Sequence, residues 1–201
     1  MPAAPNRRVE KGQATRRHLV DVATRLFARQ GYEATSVDAV LQAAGVSRGA
    51  LYHHFANKEA LFEAVLEAVE ADTAERLVLA TGDATDPVDV LRQGCAAWLE
   101  LVRDPVVQQI SLIDAPAVVG WQRWREIDAE HGFGLLKEGL RAVAETGQIR
   151  ADGVDLLAHM LLAALMELAL LIAKADDPEA VSAGAGPVLD DLLQRLVQPS
   201  R

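Results

Sequence analysis

The sequence predicts an all-α protein, and three observations carry that expectation. Apolar residues recur at three- and four-residue spacings along most of the chain, the period of an amphipathic helix. Ala, Leu, Val, Glu and Arg dominate, a composition that favours helices, while aromatic residues make up only 4%. The 14 glycines and 8 prolines fall in clusters that punctuate the periodic segments. No segment sustains the alternation of a strand, and no unit repeats along the chain.

Residues 1–12 (MPAAPNRRVEKG) carry Pro, Gly and charge without an apolar period and read as a flexible arm. A first helix spans Gln13 to Gln30. Leu19, Val22, Ala23, Leu26 and Phe27 form its apolar stripe, Arg16, Arg17, Arg25 and Arg29 lie opposite, and Gly31 supplies the C′ residue. Thr35 and Ser36 offer N-caps for a second helix, Val37–Ala44, with Asp38 in its first turn and Gly45 at its end. Ser47 caps a third helix, Arg48–His54. Asn57 caps a fourth, with Leu61, Phe62, Val65, Leu66 and Val69 along one side, running to about Ala80.

Thr81–Asp86 is a turn, and Pro87 opens a fifth helix to Arg103. Asp104-Pro105 breaks it and starts a short sixth, to about Leu112, and Asp114-Ala-Pro116 is a further break. A seventh helix runs from about Val118 to Glu145, weak at Gly132 and Gly134, and Gly147 ends it. Asp152 caps an eighth, Val154–Lys174. Asp177-Pro178 starts a ninth, to about Val197, which Gly184, Gly186 and Pro187 should kink or split.

The net charge of −9 argues against a simple basic polyanion binder. Division at Lys58 reverses the picture: nine basic and four acidic side chains precede it or include it, and eleven basic and twenty-five acidic ones follow. The chain has a basic end on an acidic body. A single cysteine, Cys95, excludes a disulfide framework and a multi-cysteine zinc site. Met1–Lys11 lacks the apolar core of a secretory signal. The most apolar run, Met160–Ala173, is interrupted by Glu167 and falls short of the ~20 residues of a bilayer-spanning helix. The expectation is a soluble cytoplasmic protein without a membrane partner.

Catalytic and metal chemistry find little support. Asp128, Glu130 and His131 lie together and Asp155 precedes His159 by one turn, but H-E-x-x-H and paired E-x-x-H motifs are absent. Gly132-Phe-Gly134 lacks the strand of a nucleotide loop, and no Ser or Cys sits in a nucleophile elbow. No enzyme activity, cofactor or metal site is expected.

The informative segment is Ser36–Phe55, SVDAVLQAAGVSRGALYHHF. It reads as helix, tight glycine turn, helix, the helix-turn-helix geometry. Val37, Val40, Leu41, Ala44, Val46, Leu51 and Phe55 would bury the inner faces, leaving Arg48, Gly49, Tyr52 and His53 outside. Arg48 can pair bidentately with guanine or bridge to a phosphate. Gly49 admits close backbone approach, the Tyr52 hydroxyl can bond phosphate while its ring meets a thymine methyl, and His53 can donate to phosphate or base. At ~1.5 Å per residue the third helix is ~10 Å long, so its N-terminal half alone reaches base edges. The backbone N–H groups after Ser36, and Lys58 beside the Asn57 cap, are natural phosphate clamps. The terminal arm is a further candidate for DNA contact.

Thr15–Leu66 resembles the N-terminal DNA-binding domain of the tetracycline-repressor-like (TetR) family of bacterial regulators. The resemblance rests on Ala23–Phe27 (ATRLF), Gly31-Tyr32, Ala34-Thr35-Ser36-Val37, Ala44-Gly45-Val46-Ser47, Gly49–Phe55 (GALYHHF) and Lys58–Phe62 (KEALF). One departure is Leu41, where the family carries a small residue; it should widen the helix crossing slightly. The resemblance implies that Ser36, Ser47, Arg48, Gly49, Tyr52, His53 and Lys58 lie at or near DNA, with His54 and Phe55 structural. It implies a helix-turn-helix DNA-binding domain over residues 13–58, a ligand-binding and dimerisation domain over 59–201, and about nine helices in total.

The acidic body fits that outline. Met160–Ala173 is apolar almost all round, and Leu189, Leu192, Leu193, Leu196 and Val197 form another stripe, so the last two helices have faces for a second copy of the chain. A C2 homodimer would set two recognition helices ~34–36 Å apart over a pseudo-palindromic operator in double-stranded DNA. Trp98, Trp121, Trp124, Phe133, Met160 and Met166 are candidates to line a cavity for a small-molecule effector, with His131 and Glu167 as polar anchors. The plainer reading makes them core residues. The function implied is a ligand-responsive, sequence-specific regulator, a repressor released by its effector; the alternative is a small-molecule-binding helical bundle without a DNA role.

Overall fold

The computed structural model describes residues 7–197, with side-chain surroundings from residue 10 onward. All regular structure among these residues is helical. Helix α1 spans Arg7–Ala34, with non-helical dihedrals at Gly31 (φ 77°). It begins six residues before the expected start, because the Arg-Arg-Val-Glu-Lys run is itself composed largely of good helix formers and puts Glu10 in the first turn, where the helix dipole favours it. Residues 7–12 of the expected arm are thus helical, and residues 1–6 lie outside the described residues. Helices α2 (Val37–Ala44), α3 (Arg48–His54) and α4 (Lys58–Ala80) fall where the caps predict them.

After α5 (Pro87–Leu101) the chain departs from expectation. Asp104 accepts from Val106 N at 2.9 Å and restarts the helix, but residues Val107–Asp114 form a π-helical segment that runs straight into α6 (Ala115–Val118). Asp114-Ala-Pro116 is not a break: the chain stays helical through it, with Pro116 in the first turn of α6, where its fixed φ suits a helix. The expected long seventh helix is two, α7 (Trp121–Glu130) and α8 (Gly132–Glu145), parted at His131.

Helix α9 (Val154–Lys174) has no side-chain cap; Asp152 sits in a preceding 3-10 turn and pairs with Arg150 at 2.7 Å. Helix α10 (Pro178–Leu196) runs through Gly184, Gly186 and Pro187 without a split. Burial of Ser182, Ala185, Leu189 and Leu193 on its inner face outweighs the weak local propensity. The count is ten α-helices among the described residues, against about nine expected.

Two apolar clusters organise the molecule. The first joins α1, α2, α3 and the N-terminal half of α4 to Val107, Ile110 and Ala115 of the π-helical and α6 region and to Trp124 and Ile127 of α7. The second is built from α5, α8, α9 and α10. Trp98 and Met166 pack against both.

Residues 151–174 form a 24-residue stretch with a mean hydropathy of 2.3 over its most apolar 18-residue window, long and apolar enough by composition to cross a bilayer. The expectation that this run falls short came from counting only Met160–Ala173. In the fold, Val154, Ala158, Leu161, Leu165, Ala169 and Ile172 face the second cluster, and Leu156, Met160 and Leu171 face outward.

Candidate DNA-binding surface and internal cavity

Three successive helix starts, those of α2, α3 and α4, carry side-chain caps. The Ser36 hydroxyl accepts from Ala39 N at 3.1 Å, Ser47 accepts from Ala50 N at 3.2 Å, and the Asn57 carbonyl accepts from Ala60 N at 2.7 Å. Each serine thus spends an acceptor lone pair on its cap and keeps its O–H to donate outward. Gly45 turns the chain in the left-handed region (φ 64°, ψ 31°), which a side chain at that position would oppose. Leu51 and Phe55 are buried and anchor α3 from beneath. Arg48, Gly49, Tyr52 and His53 are exposed, Tyr52 at 44%. A Cβ on Gly49 would meet nothing within 4 Å, so packing inside the protein does not demand glycine there.

Arg48 forms an ion pair with Asp38 across the α2–α3 turn, and both side chains are exposed. The sequence reading gave Asp38 only a helix-end role; its partnership with a residue ten positions on needed the turn geometry. Lys58 Nζ stands 3.8 Å from the centroid of the Tyr32 ring, which packs on Phe27 and edge-on to Phe62. The phosphate-clamp candidate is therefore held in place before any ligand arrives. His54 is half-buried, and its pKa is lowered by desolvation first, then by His53 and Arg16. Leu41 is partly buried at the edge of the first cluster.

A backbone hydrogen bond helps tie this surface to the body. Tyr32 N, just past the Gly31 kink, donates to Asp114 Oδ2 of the π-helical segment at 2.8 Å. A Cβ on Gly31 would lie 3.2 Å from Gln109 Nε2 of the same segment. Arg123 of α7 also reaches Glu63 and Glu67 on α4, at 2.6 and 3.0 Å. Neither link was visible in the sequence, since the partners lie 56 to 82 residues apart.

A half-open cavity of about 330 Å³ lies between the C-terminal half of α4, α5, the α7–α8 junction and α9. Trp98 and Met166 line it, as expected. The other six candidates do not. Trp124 is buried in the first cluster, and Trp121 leans on it with the rings inclined at 57° while remaining 66% exposed. Phe133 is buried in the second cluster with its ring 4.8 Å from that of His159. His131 lines an adjoining surface groove. Met160 and Glu167 are seven residues apart on the outer face of α9, so in the single chain the Glu167 carboxylate is exposed rather than aimed at the cavity. An α-helix that is apolar all round gives no signal of which side faces inward.

The remaining wall was missed by the sequence reading: Leu91 and Cys95 on α5, Asp128 on α7, Leu136 and Glu138 on α8, Leu162 and Leu165 on α9. The Trp98 indole N–H is buried without a hydrogen-bond partner. Burial pushes the Cys95 thiol up to about 12, which keeps it protonated and unreactive. Burial also raises Asp128, against the pull of Arg125 at 2.6 Å. Deeper in, burial pushes Glu70 of α4 up to about 7, the Ser111 hydroxyl working against the rise and Asp128 adding to it. Among the described residues no three His, Cys, Asp or Glu side chains converge as a metal site.

Comparison with known proteins matches both halves. Residues 19–65 match the family model described as bacterial regulatory proteins, tetR family, and residues 88–196 match the tetracyclin repressor-like C-terminal domain. The HTH-type transcriptional repressor Rv1474c of Mycobacterium tuberculosis is 31% identical over 177 residues, 85% of this chain and 88% of that protein. The HTH-type transcriptional regulator AcrR of Shigella flexneri is 42% identical over 85 residues, 42% of this chain and only 40% of AcrR. The crystal structure of a regulator from Pectobacterium atrosepticum superposes with a TM-score of 0.79 at 31% identity, covering 96% of this chain and 98% of that one.

Proposed function

Because the chain belongs to the TetR family of helix-turn-helix transcriptional regulators, we propose that it binds a pseudo-palindromic operator as a homodimer and is released when a small molecule enters the cavity beneath α4. The observation that carries this reading is α3: seven residues, capped by Ser47, anchored by buried Leu51, with Arg48, Gly49, Tyr52 and His53 facing outward. Arg48 reads a base, while Ser36, Ser47, Tyr52, His53 and Lys58 hold phosphates. The DNA-binding unit ends near Lys58 and the effector unit follows. The protein acts in the cytoplasm, where its operator is.

The dimer forms through α9 and α10. Leu156 and Met160 on α9 and Val188 on α10 are 73%, 69% and 69% exposed, an apolar face that supports pairing with a second copy. The effector acts through two elements that contact both clusters' surroundings. Leu77 and Val78 of the cavity wall belong to α4, the helix that begins at Lys58. Trp98 and Met166 touch the first cluster as well as the cavity. An occupant that shifts either moves α4 and the π-helical segment, and through Asp114–Tyr32 the end of α1. A ten-fold loss of operator affinity requires about 1.4 kcal/mol of preference for the DNA-incompetent state.

The test is selection of genomic fragments by the purified protein, followed by titration of the enriched site. Arg48→Ala should weaken that site by about 1–3 kcal/mol and relax preference at one base pair. Lys58→Ala should weaken operator and random duplex alike and flatten the salt dependence. Wild-type behaviour of both variants on both duplexes would refute the assignment.

A further inference from the structure

Resting on the cavity as the effector site, we propose that the molecule it admits is a lipophilic cation, a compact apolar body carrying an amine or quaternary ammonium. The volume of about 330 Å³ sits at the small end for ligand pockets, which sets the size. The wall is mostly aliphatic, and its charged residues are of one sign: Asp128 and Glu138, with no Lys, Arg or His. Trp98 is its one aromatic ring, and an indole face in a desolvated site attracts cations most strongly of the aromatic side chains.

The approach has the same character. The surface groove beside the cavity shares Val78, Leu135 and Glu138 with it, so the two are continuous along that wall. Glu75 and Glu130 join Glu138 in the groove, and His131 is its sole basic-type side chain. A groove of one charge sign above a low-dielectric wall concentrates ions of the opposite sign. Arg125 pairs with Asp128 at 2.6 Å but does not line the space, and its guanidinium lies 5.0 Å from the Phe133 ring centroid. Asp128 is thus already paired, and Glu138 is the wall's carboxylate without an ion-pair partner among the described residues, so an anionic ligand would meet that charge and no lining counter-charge. A cation meets Glu138 and the Trp98 side chain.

The test compares three ligands of similar size by calorimetry and thermal shift on the full chain: trimethyl(4-phenylbutyl)ammonium, 5-phenylpentanol and 5-phenylvalerate. The cation should bind at least about ten-fold more tightly than the alcohol, and the carboxylate should bind more weakly than either. Glu138→Gln, an exposed change at the rim, should weaken the cation several-fold and leave the alcohol unchanged. Equal or tighter binding of the alcohol or the carboxylate, or an equal effect of Glu138→Gln on all three, would overturn the inference while leaving the cavity as an effector site. If none of the three binds, the effector-site reading itself fails, and the inference with it.

Discussion

The DNA-facing surface and the effector cavity are built in opposite ways. The surface is assembled from one continuous segment of about two dozen residues, and each part of it is fixed by a neighbour: caps at Ser36, Ser47 and Asn57, a left-handed Gly45, a buried Leu51. The cavity draws its wall from five helices spread over residues 77–166. The first is rigid because its constraints are local. The second takes its shape from how helices settle against one another, which is also what a ligand can alter.

The largest effect should come from breaking the local side. Leu51 is fully buried and, with Phe55, supplies the apolar contacts that hold the short α3 to the first cluster. Seven residues are too few for a helix to persist alone. Leu51→Ala should cost about 2–5 kcal/mol and release α3. Chemical denaturation should show the loss, and operator binding should vanish while calorimetric binding at the cavity persists in the folded fraction. Loss of both together would mean the two regions are not separable.

A buried acid sharpens the comparison from the other side. Glu70 is buried on α4 and its pKa is pushed up to about 7, so its carboxyl is more basic folded than unfolded. A raised carboxyl pKa means that the fold is favoured while the group is protonated. Stability from this residue is full at pH values below the ordinary carboxylate range and is lost progressively as pH rises to about 7. The full difference is on the order of 3 kcal/mol. Glu70→Gln should therefore stabilise the protein at pH 8, change little at pH 4, and flatten the slope between. Parallel urea titrations of both forms across that range would check it, and parallel slopes would mean Glu70 ionises freely.

What could be read from the sequence follows the same division. The caps and the Gly45 turn are written in residues one to four apart, so α2, α3 and the start of α4 were legible to the residue. Arg48, Tyr52 and His53 were assigned outward because Leu51 and Phe55 take the inner face of so short a helix. The π-helical segment was not legible, since its packing against α1 and the Asp114–Tyr32 bond span 82 residues. Of eight cavity candidates only Trp98 and Met166 line it, because large apolar residues mark a core without saying which gap in it stays open. Cys95, Asp128 and Glu138 carried no signal that distinguished them from ordinary core and surface positions.

The smallest effect tests how the local side achieves selectivity. Asp38 pairs with Arg48 at a surface where phosphates must come close, and a carboxylate there repels the backbone of any sequence. The pair holds the guanidinium at the N-terminal end of α3, the end that reaches base edges, rather than leaving it to find the nearest phosphate. Asp38→Ala removes both the repulsion and the tether. Random duplex should then bind more tightly and operator should change little, so the ratio between them should fall. Exposed pairs contribute about 0.2–1 kcal/mol, so the expected loss of discrimination is no more than about five-fold. Titration of operator and scrambled duplex at two salt concentrations separates the two roles. If both duplexes tighten equally, Asp38 acts only through its charge. If the ratio falls, it positions Arg48. A thermal melt of the variant controls for the carboxylate's loss from the first turn of α2, worth about 0.3–1 kcal/mol.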